Sequence, residues 1–389
     1  MNPATEYDVA LSACDSYGDT DVESALREVL EAIDGLSFVK PGMRIALKVN
    51  LVTALRPDAA ATVHPSVVCA LVKLLRERGA EVVIGDGPGG IYSSSYLHIV
   101  YDICGMRQTE ALGAELNDDF SVQEVDYPDA VKAKQFPYTA FLGKADAIID
   151  LCKLKTHAMM GLTCAVKNFF GSIPGTVKPE FHYKFPQATD FADVLVDLYE
   201  YSSPRLCICD AVIGMEGNGP TQGTPRKIGC LIASRNGHML DAVAAGLIGL
   251  VPKDIPTLVA AERRGLLPAD LSSLEVFGDP MQFSVPDFKT VPAQSSVFFH
   301  VLGEGLPGKI ADFLAGRIMT PYPKLDPSSC IACGKCAQTC PAKAISMKKG
   351  KPKINRRICI HCFCCQEFCP KGAVKVGRTW IMTLIRKLL

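Results

Sequence analysis

The chain has 389 residues, with 41 Lys and Arg against 41 Asp and Glu, 48% hydrophobic residues and 17 cysteines. That length holds two or three domains, and the composition excludes disordered, collagen-like and low-complexity classes. The N-terminal stretch "MNPATEYDVALSAC" has no basic start leading into an apolar run, and no apolar stretch reaches the ~18 residues of a membrane span. The expected compartment is therefore the cytoplasm, where so many cysteines stay reduced and serve metal or redox chemistry, not a disulfide scaffold.

The zero net charge hides an asymmetry. Residues 324–389 hold 14 Lys and Arg against two acids, Asp326 and Glu367, a balance of +12, so residues 1–323 carry −12. A basic module on an acidic body fits two readings. The basic residues offset negative charge held nearby, or they form a docking face for an acidic partner such as a ferredoxin or flavodoxin. Aromatics are too sparse in the module for nucleic-acid binding.

In chain order, residues 1–280 alternate short apolar runs with amphipathic stretches. Strands are expected at 8–13, 44–50, 81–86, 145–152, 205–210, 228–234 and 274–277, and helices at 21–34, 65–78, 96–112, 188–201 and 239–250. The helix at 65 is well signalled. Pro65 suits its first turn, Val67, Val68, Leu71, Val72 and Leu75 make one face, and Gly79 stops it. Strands interleaved with helices predict an α/β fold with a mostly parallel sheet flanked by helices.

Ligands in such sheets gather beyond the carboxyl ends of the strands. Polar groups recur there. Lys48 and Asn50 close the second strand, and "DGPGG", opening with Asp86, follows the third. Lys153, Lys155, Thr156 and His157 follow the fourth, Asp210 ends the fifth with Glu216 and Asn218 just beyond, and Asp241 opens an apolar helix. "DGPGG" lacks the G-x-G-x-x-G spacing and no Walker motif exists, so a tight turn is expected there. His64, before Pro65, reads as a helix start.

The segment "KLKTHAMMGLTCAVKNFFGSIPG", residues 153–175, is apolar yet carries Lys153, Lys155, His157, Lys167 and Asn168. Lys153 and Lys155 share a face of extended chain. If 159–170 is helical, Thr163 and Lys167 lie one turn apart, as do Cys164 and Asn168. Lys178 and His182 follow. Two readings compete: structural ion pairs with Asp146, Asp150, Asp210 and Glu216, or an anion-binding, proton-donating pocket. Lysines around His157 and His182 argue against a metal ion there.

Nine of the 17 cysteines lie between 330 and 369. "CIACGKCAQTCP" and "CIHCFCCQEFCP" are both C-x2-C-x2-C-x3-C-P, a spacing in which three thiolates wrap one [4Fe–4S] cube and the fourth reaches another. One cluster takes Cys330, Cys333, Cys336 and Cys369; the second takes Cys359, Cys362, Cys365 and Cys340. Cys364 is left over and packs beside its cluster. Structural zinc sites show separated C-x2-C halves instead. Elsewhere, Cys207 and Cys209 read as core residues, and Cys152 with Cys164 as a candidate thiol pair.

The double motif closely resembles a bacterial two-cluster ferredoxin over residues 325–377, which implies a small α+β module. "KVNLV", "VHPSVV", "GDGPGG", "KLKTHAMMGLTCAVKNFFG" and "GMEGNGPTQGTP" together resemble the DUF362 domain over roughly 8–300, a family named for its unknown function. The resemblance implies paired lysines before the distant His. Val177 and Lys178 stand there, so one cation is missing. The expected organisation is a DUF362-like domain at 1–300, a linker at 301–323, the cluster module at 324–377 and a basic amphipathic tail at 378–389. That tail packs on the body or on a second copy in a homodimer, or makes weak membrane contact.

These readings converge on an iron–sulfur oxidoreductase, typical of anaerobic electron transfer, that reduces an anionic or carbonyl-bearing small molecule. His157 is the expected proton donor, because its pKa lies near neutrality. Lys155 or Lys167 stabilises developing oxyanion charge, and Glu216 and Asp241 orient these cations. Lys48, Asn50, Asp86, Lys153, Thr156, Asn168, Lys178, His182 and Asn218 bind the substrate. The alternatives are an electron carrier or complex subunit without a substrate, a metallocofactor assembly factor, and a non-redox anion-binding enzyme.

Overall fold

The computed structural model describes residues 7–291 and 321–377. Residues 301–320 of the expected linker at 301–323, and the tail at 378–389, lie outside the described residues.

One nine-stranded sheet organises the body. Its central parallel strands are β2 (Arg44–Val49), β3 (Glu81–Gly85), β4 (Ala114–Leu116), β7 (Ala147–His157) and β9 (Leu206–Glu216), in the spatial order β9–β7–β2–β3–β4. On the β9 side, β10 (Thr224–Ser234) and β1 (Val9–Ala13) join antiparallel, and β11 (Val276–Phe277) joins β1 in parallel. These antiparallel pairings make the sheet mixed. β5 (Val122–Asp126), largely exposed, and β6 (Gln135–Thr139) form a separate two-stranded hairpin that the sequence reading did not expect.

Helices cover both faces. α1 (Asp19–Ala32), α2 (Pro65–Glu77) and α3 (Ser94–Ile103) pack with Ile45, Leu47 and Ile149. α7 (Ala188–Ser202), α8 (Gly237–Leu247) and α9 (Pro256–Arg263) pack with Ala46, Ile148 and Cys207. Alternate strand residues thus feed two cores, as the period-2 geometry demands. α2 begins at Pro65 as expected, and His64 caps it, its Nδ1 accepting from the Ser66 N–H at 3.2 Å. The expected helix 96–112 instead breaks at Gly105, whose φ of 77° ends α3 before a 3-10 turn at Met106–Leu112.

A second correction concerns 159–170, which is not one helix. β7 runs on to His157 and turns back into β8 (Gly161–Thr163), then a single helical turn α5 (Ala165–Asn168) follows. Gly161, at φ 75°, permits the reversal. Asp241 sets where the turn starts: its carboxylate accepts the Ala165 and Val166 N–H groups at 2.7 and 3.2 Å. Those two tertiary hydrogen bonds outweigh the helical spacing of the sequence.

The C-terminal module is two similar halves. β12 (Tyr322–Leu325) pairs with β15 (Val374–Gly377), and β13 (Ile345–Lys348) with β14 (Lys351–Ile354). The single-turn helices Lys335–Gln338 and Cys364–Glu367 bring Cys336 and Cys365 into one small core with Ile345 and Val374.

Candidate functional site

The module's thiols lie close enough to act on one another electrostatically. The charges of Cys369, Cys333 and Cys330 act on Cys336, and those of Cys362 and Cys340 act on Cys359. Cys330, Cys333, Cys336 and Cys369 line one cavity of about 350 Å³ with Leu325, Pro352 and Val374. The Ala344 and Ala373 N–H groups each lie 3.2 Å from the Sγ of Cys340 and Cys369 respectively, the same donor in each half. Among the described residues, only Cys152, Cys164 and Cys209 form a trio whose ligand atoms lie within 4.8 Å of one another. The module's thiols therefore stand too far apart for one zinc ion and suit a cage of several irons.

A cleft of about 690 Å³ opens where β2, β3 and β7 end. Between β2 and β7 the chain's crossovers run in opposite directions, the place where open α/β sheets bind ligands. Its body wall includes Asn50, Asp86, Lys155, Thr163, Lys167, Lys178 and His182; its other wall is Cys364, Glu367 and Phe368 of the cluster module. The cleft is thus shared by both parts of the chain.

The lysines differ in their partners. Lys48 Nζ pairs with Asp86 Oδ1 at 2.7 Å, and Asp86 Oδ2 accepts the Leu51 N–H at 2.7 Å. Lys155 Nζ donates to Asn50 Oδ1 and the Ala61 carbonyl at 2.7 and 2.6 Å. Lys167 and Lys178 sit over the Phe170 ring, 5.7 and 5.4 Å from its centre, and Lys178 also donates to the Gly87 carbonyl. Among the described residues, no carboxylate lies within 4.0 Å of Lys155, Lys167 or Lys178. Burial lowers the Lys155 pKa to about 7, with Lys167 and Lys153 adding repulsion, and lowers Lys178 to about 8. Three crowded ammonium groups with only dipoles for partners make a site that an anion would stabilise.

The proton-donor expectation for His157 is corrected. Its Nδ1 accepts from the Met159 and Met160 N–H groups at 3.1 Å each, so the ring proton lies on Nε2, 3.0 Å from Glu367 Oε1. Burial, then the nearby Lys167 charge, lowers its pKa to about 4. At neutral pH it is an uncharged clamp that donates to Glu367. Burial alone would raise Glu367, but the His157 hydrogen bond and the charges around it bring the carboxyl down to about 2. His182, stacked on Phe191 with ring centres 4.3 Å apart, is likewise lowered by burial, to about 3.

Other expected site residues hold the frame. Lys153 Nζ pairs with Asp210 Oδ2 at 2.7 Å and with the Tyr17 hydroxyl at 2.8 Å, away from the cleft. Glu216 receives the Lys289 N–H at 3.0 Å, and Asp241 caps α5. Thr156 Oγ1 donates to the Gly217 carbonyl at 2.9 Å, and the Asn218 carbonyl accepts from Gln366 Nε2 at 2.8 Å. Asn168 ties β2 to β7: its Oδ1 accepts from Asn50 and Lys48, and its Nδ2 donates to Asp150 Oδ1 at 2.7 Å. The ion-pair reading therefore holds for Lys153 with Asp210 and fails for Lys155, Lys167 and Lys178, while Lys48 pairs with Asp86, a partner that reading did not name.

Gly171 floors the cleft. A Cβ there would meet Asp86 Oδ1 at 2.0 Å and Lys48 Nζ at 2.6 Å. Gly171→Ala is expected to unseat the Lys48–Asp86 pair and cost about 1–3 kcal/mol, read by thermal denaturation; an unchanged midpoint would mean the pair can move aside.

Sequence reasoning missed Glu367 and Phe368 as site residues. The available signal was chemical: Glu367 is one of two acids in a strongly basic module, between Cys365 and Cys369. Gln366 and Gln222 bond across the junction, and Phe368 packs so closely on Gly89 that a Cβ there would lie 2.6 Å from the ring.

Fold and site together define an iron–sulfur protein, an α/β body whose cationic cleft is closed by a ferredoxin-type module. Residues 322–370 match the family described as 4Fe-4S dicluster domain, so this module binds iron–sulfur cluster and serves electron transfer. Residues 45–246 match the family described as Domain of unknown function (DUF362), and the chain belongs to that family. It is 33% identical to the thylakoid-associated protein sll1697 of Synechocystis sp., over 72% of this chain and 87% of that protein. Among solved structures it is similar to the lactate racemase apoprotein from Thermoanaerobacterium thermosaccharolyticum (TM-score 0.40, 11% identity, 63% of this chain and 59% of that one). It is also similar to a Thermotoga maritima protein (TM-score 0.35, 14% identity, 55% of each chain). The chain thus spans less than two thirds of either solved structure. No helix among the described residues is long and apolar enough to cross a membrane.

Proposed function

We propose that the chain is a cytoplasmic iron–sulfur reductase whose cleft holds an anionic or carbonyl-bearing unsaturated small molecule. The observation that carries this reading is the shared cleft: Lys155, Lys167 and Lys178 face Cys364 and Glu367 of the cluster module across one cavity. Two [4Fe–4S] clusters, held by Cys330, Cys333, Cys336 and Cys369 and by Cys359, Cys362, Cys365 and Cys340, would supply electrons one at a time.

The chain's own residues do the rest. Lys167 and Lys178 bind the substrate's negative group. Lys155, with its pKa near 7, gives a proton to the reduced carbon or oxygen and is reprotonated from the cleft. Asn50 and Asn168 hold Lys155 and the strand ends in register. His157 and Glu367 position the module wall. Electrons enter where Cys333 is exposed, close to Ile331, Lys335 and Lys371, all exposed, a surface suited to an acidic ferredoxin or flavodoxin.

The test is chemical reduction of the purified protein under anaerobic conditions, then a series of unsaturated acids, with cluster reoxidation followed by absorbance. One acid is expected to accelerate reoxidation, and Lys155→Met to slow it about 100-fold at unchanged iron content. Equal rates in both proteins would sink the reductase reading and leave an electron carrier or cofactor-assembly protein.

A further inference from the structure

Behind the cleft, on the face of the sheet covered by α5 and α8, lies a thiol cluster that the proposed reaction does not use. Cys152 on β7 and Cys209 on β9 are register partners, and Cys164 lies over them at the start of α5. Cys164 Sγ is 3.4 Å from Cys209 Sγ and 3.6 Å from Cys152 Sγ. All three residues are at most 1% exposed. Asp150, two residues before Cys152 on β7, and Asp241 complete the group, and Asn168 joins Asp150 to the cleft.

We propose that Cys164 and Cys209 form a dithiol–disulfide couple, a two-electron centre that exchanges electrons with the iron–sulfur module and not with soluble thiols. This rests on the ferredoxin-type module and is independent of the reductase reading. In the reductive direction the S–S bond takes two electrons, one from each of two reduced [4Fe–4S]⁺ clusters, which return to the 2+ state. Two protons enter, and two S–H bonds form. The reverse step releases the same two electrons and two protons.

Three observations favour this over the alternatives. Bringing 3.4 Å to a bond of about 2.05 Å needs a shift of little more than 1 Å. Dithiol and disulfide are both uncharged, so the dry site tolerates either state, whereas three thiolates around one Cu(I) or Zn(II) would bury net negative charge. Zinc would also need a fourth ligand, and both Asp241 oxygens already accept backbone N–H groups. Burial would raise the Cys209 thiol, but hydrogen bonds from Cys152 and Cys164 lower it, marking it as the partner that deprotonates first during exchange. Cys152 is the third thiol and does not carry the bond.

The experiment uses the full-length, cluster-loaded protein. Samples oxidised anaerobically with a ferricyanide-type oxidant, then reduced with dithionite, are denatured in an alkylating reagent and mapped by mass spectrometry. The oxidised sample is expected to hold a Cys164–Cys209 linked peptide and the dithionite-reduced sample none. Native dithiothreitol is expected to leave the link intact, and Cys152→Ala to retain it. In a reductive titration, Cys209→Ala is expected to take up two fewer electron equivalents than the unaltered chain at equal iron content. Should Cys209→Ala lose iron, the peptide map of the unaltered protein decides alone. Full alkylation of all three cysteines in every state overturns the proposal. So does one zinc or copper ion per chain that Cys209→Ala loses.

Discussion

In anion-free buffer, the stability difference between the unaltered chain and Lys155→Met is expected to shift in favour of the unaltered chain as pH rises from 7 to 10. Lys155 has a folded pKa of about 7 against an ordinary value of 10.5. Between those values the unfolded chain binds the extra proton, so unfolding becomes harder as pH rises. Below pH 7 both states are protonated and the folded state bears the whole cost of the crowded ammonium, on the order of 5 kcal/mol. Lys178, at about 8, acts in the same direction. Methionine has no such titration, although it also forfeits the hydrogen bonds to Asn50 and Ala61 at every pH. The difference between the two proteins is the quantity to measure, because buried thiols such as Cys207 are raised by burial and titrate with the opposite sign above pH 9. A small dicarboxylate is expected to raise the melting temperature of the unaltered chain at pH 7 and lose that effect near pH 10. Parallel curves for the two proteins would show that Lys155 is not held near neutrality and that the cleft is not anion-seeking.

Glu367→Ala is expected to loosen the module from the body and cost about 2–4 kcal/mol. The change strips the acceptor from His157 Nε2 and the module carboxylate whose charge supports both Lys155 and Lys167, leaving Asp86 to offset the repulsion at Lys155. Limited proteolysis should detach the module faster, and the melting transition should broaden or split. Glu367→Gln separates shape from charge. Its amide oxygen can still accept the His157 proton, so the junction should hold, while the anion affinity of the cleft below pH 7 should rise about tenfold because an internal anion is gone. The Lys155 pKa should fall at the same time, since the Glu367 charge supports it, and the pH limb of anion binding should move to lower pH with it. Wild-type proteolysis of Glu367→Ala would mean that Gln366 and Phe368 carry the junction without the carboxylate.

The two substitutions also explain what kind of site this is. Lys155 serves as a poised cation because Asn50 and Ala61 offer it dipoles and no carboxylate. Lys153, two residues earlier on the same strand, meets Asp210 and becomes structural. A register shift between the two lysines, where β7 meets β9, accompanies their different partners. Strand periodicity put both lysines on one face but held no information about that irregularity. Likewise, burial keeps His157 neutral, and its tautomer follows from two backbone N–H donors supplied by the turn 158–160, which the helical reading of 159–170 had concealed.

By itself the sequence determined the iron–sulfur module, because cluster ligation is written in the local spacing of Cys330 to Cys340 and Cys359 to Cys369. It also determined the α/β architecture, because burial on a sheet or helix imposes its own period on the residues. The polar groups at the strand ends were visible for the same reason, since each lies one or two residues beyond an apolar run. Only the tertiary structure decided which of those groups share the cleft. The Lys155–Asn50 pair spans 105 residues, Lys153–Asp210 spans 57, and Glu367 reaches His157 across 210. Such pairings depend on how the strands are ordered and how the module docks, and buried charge is set by that packing alone.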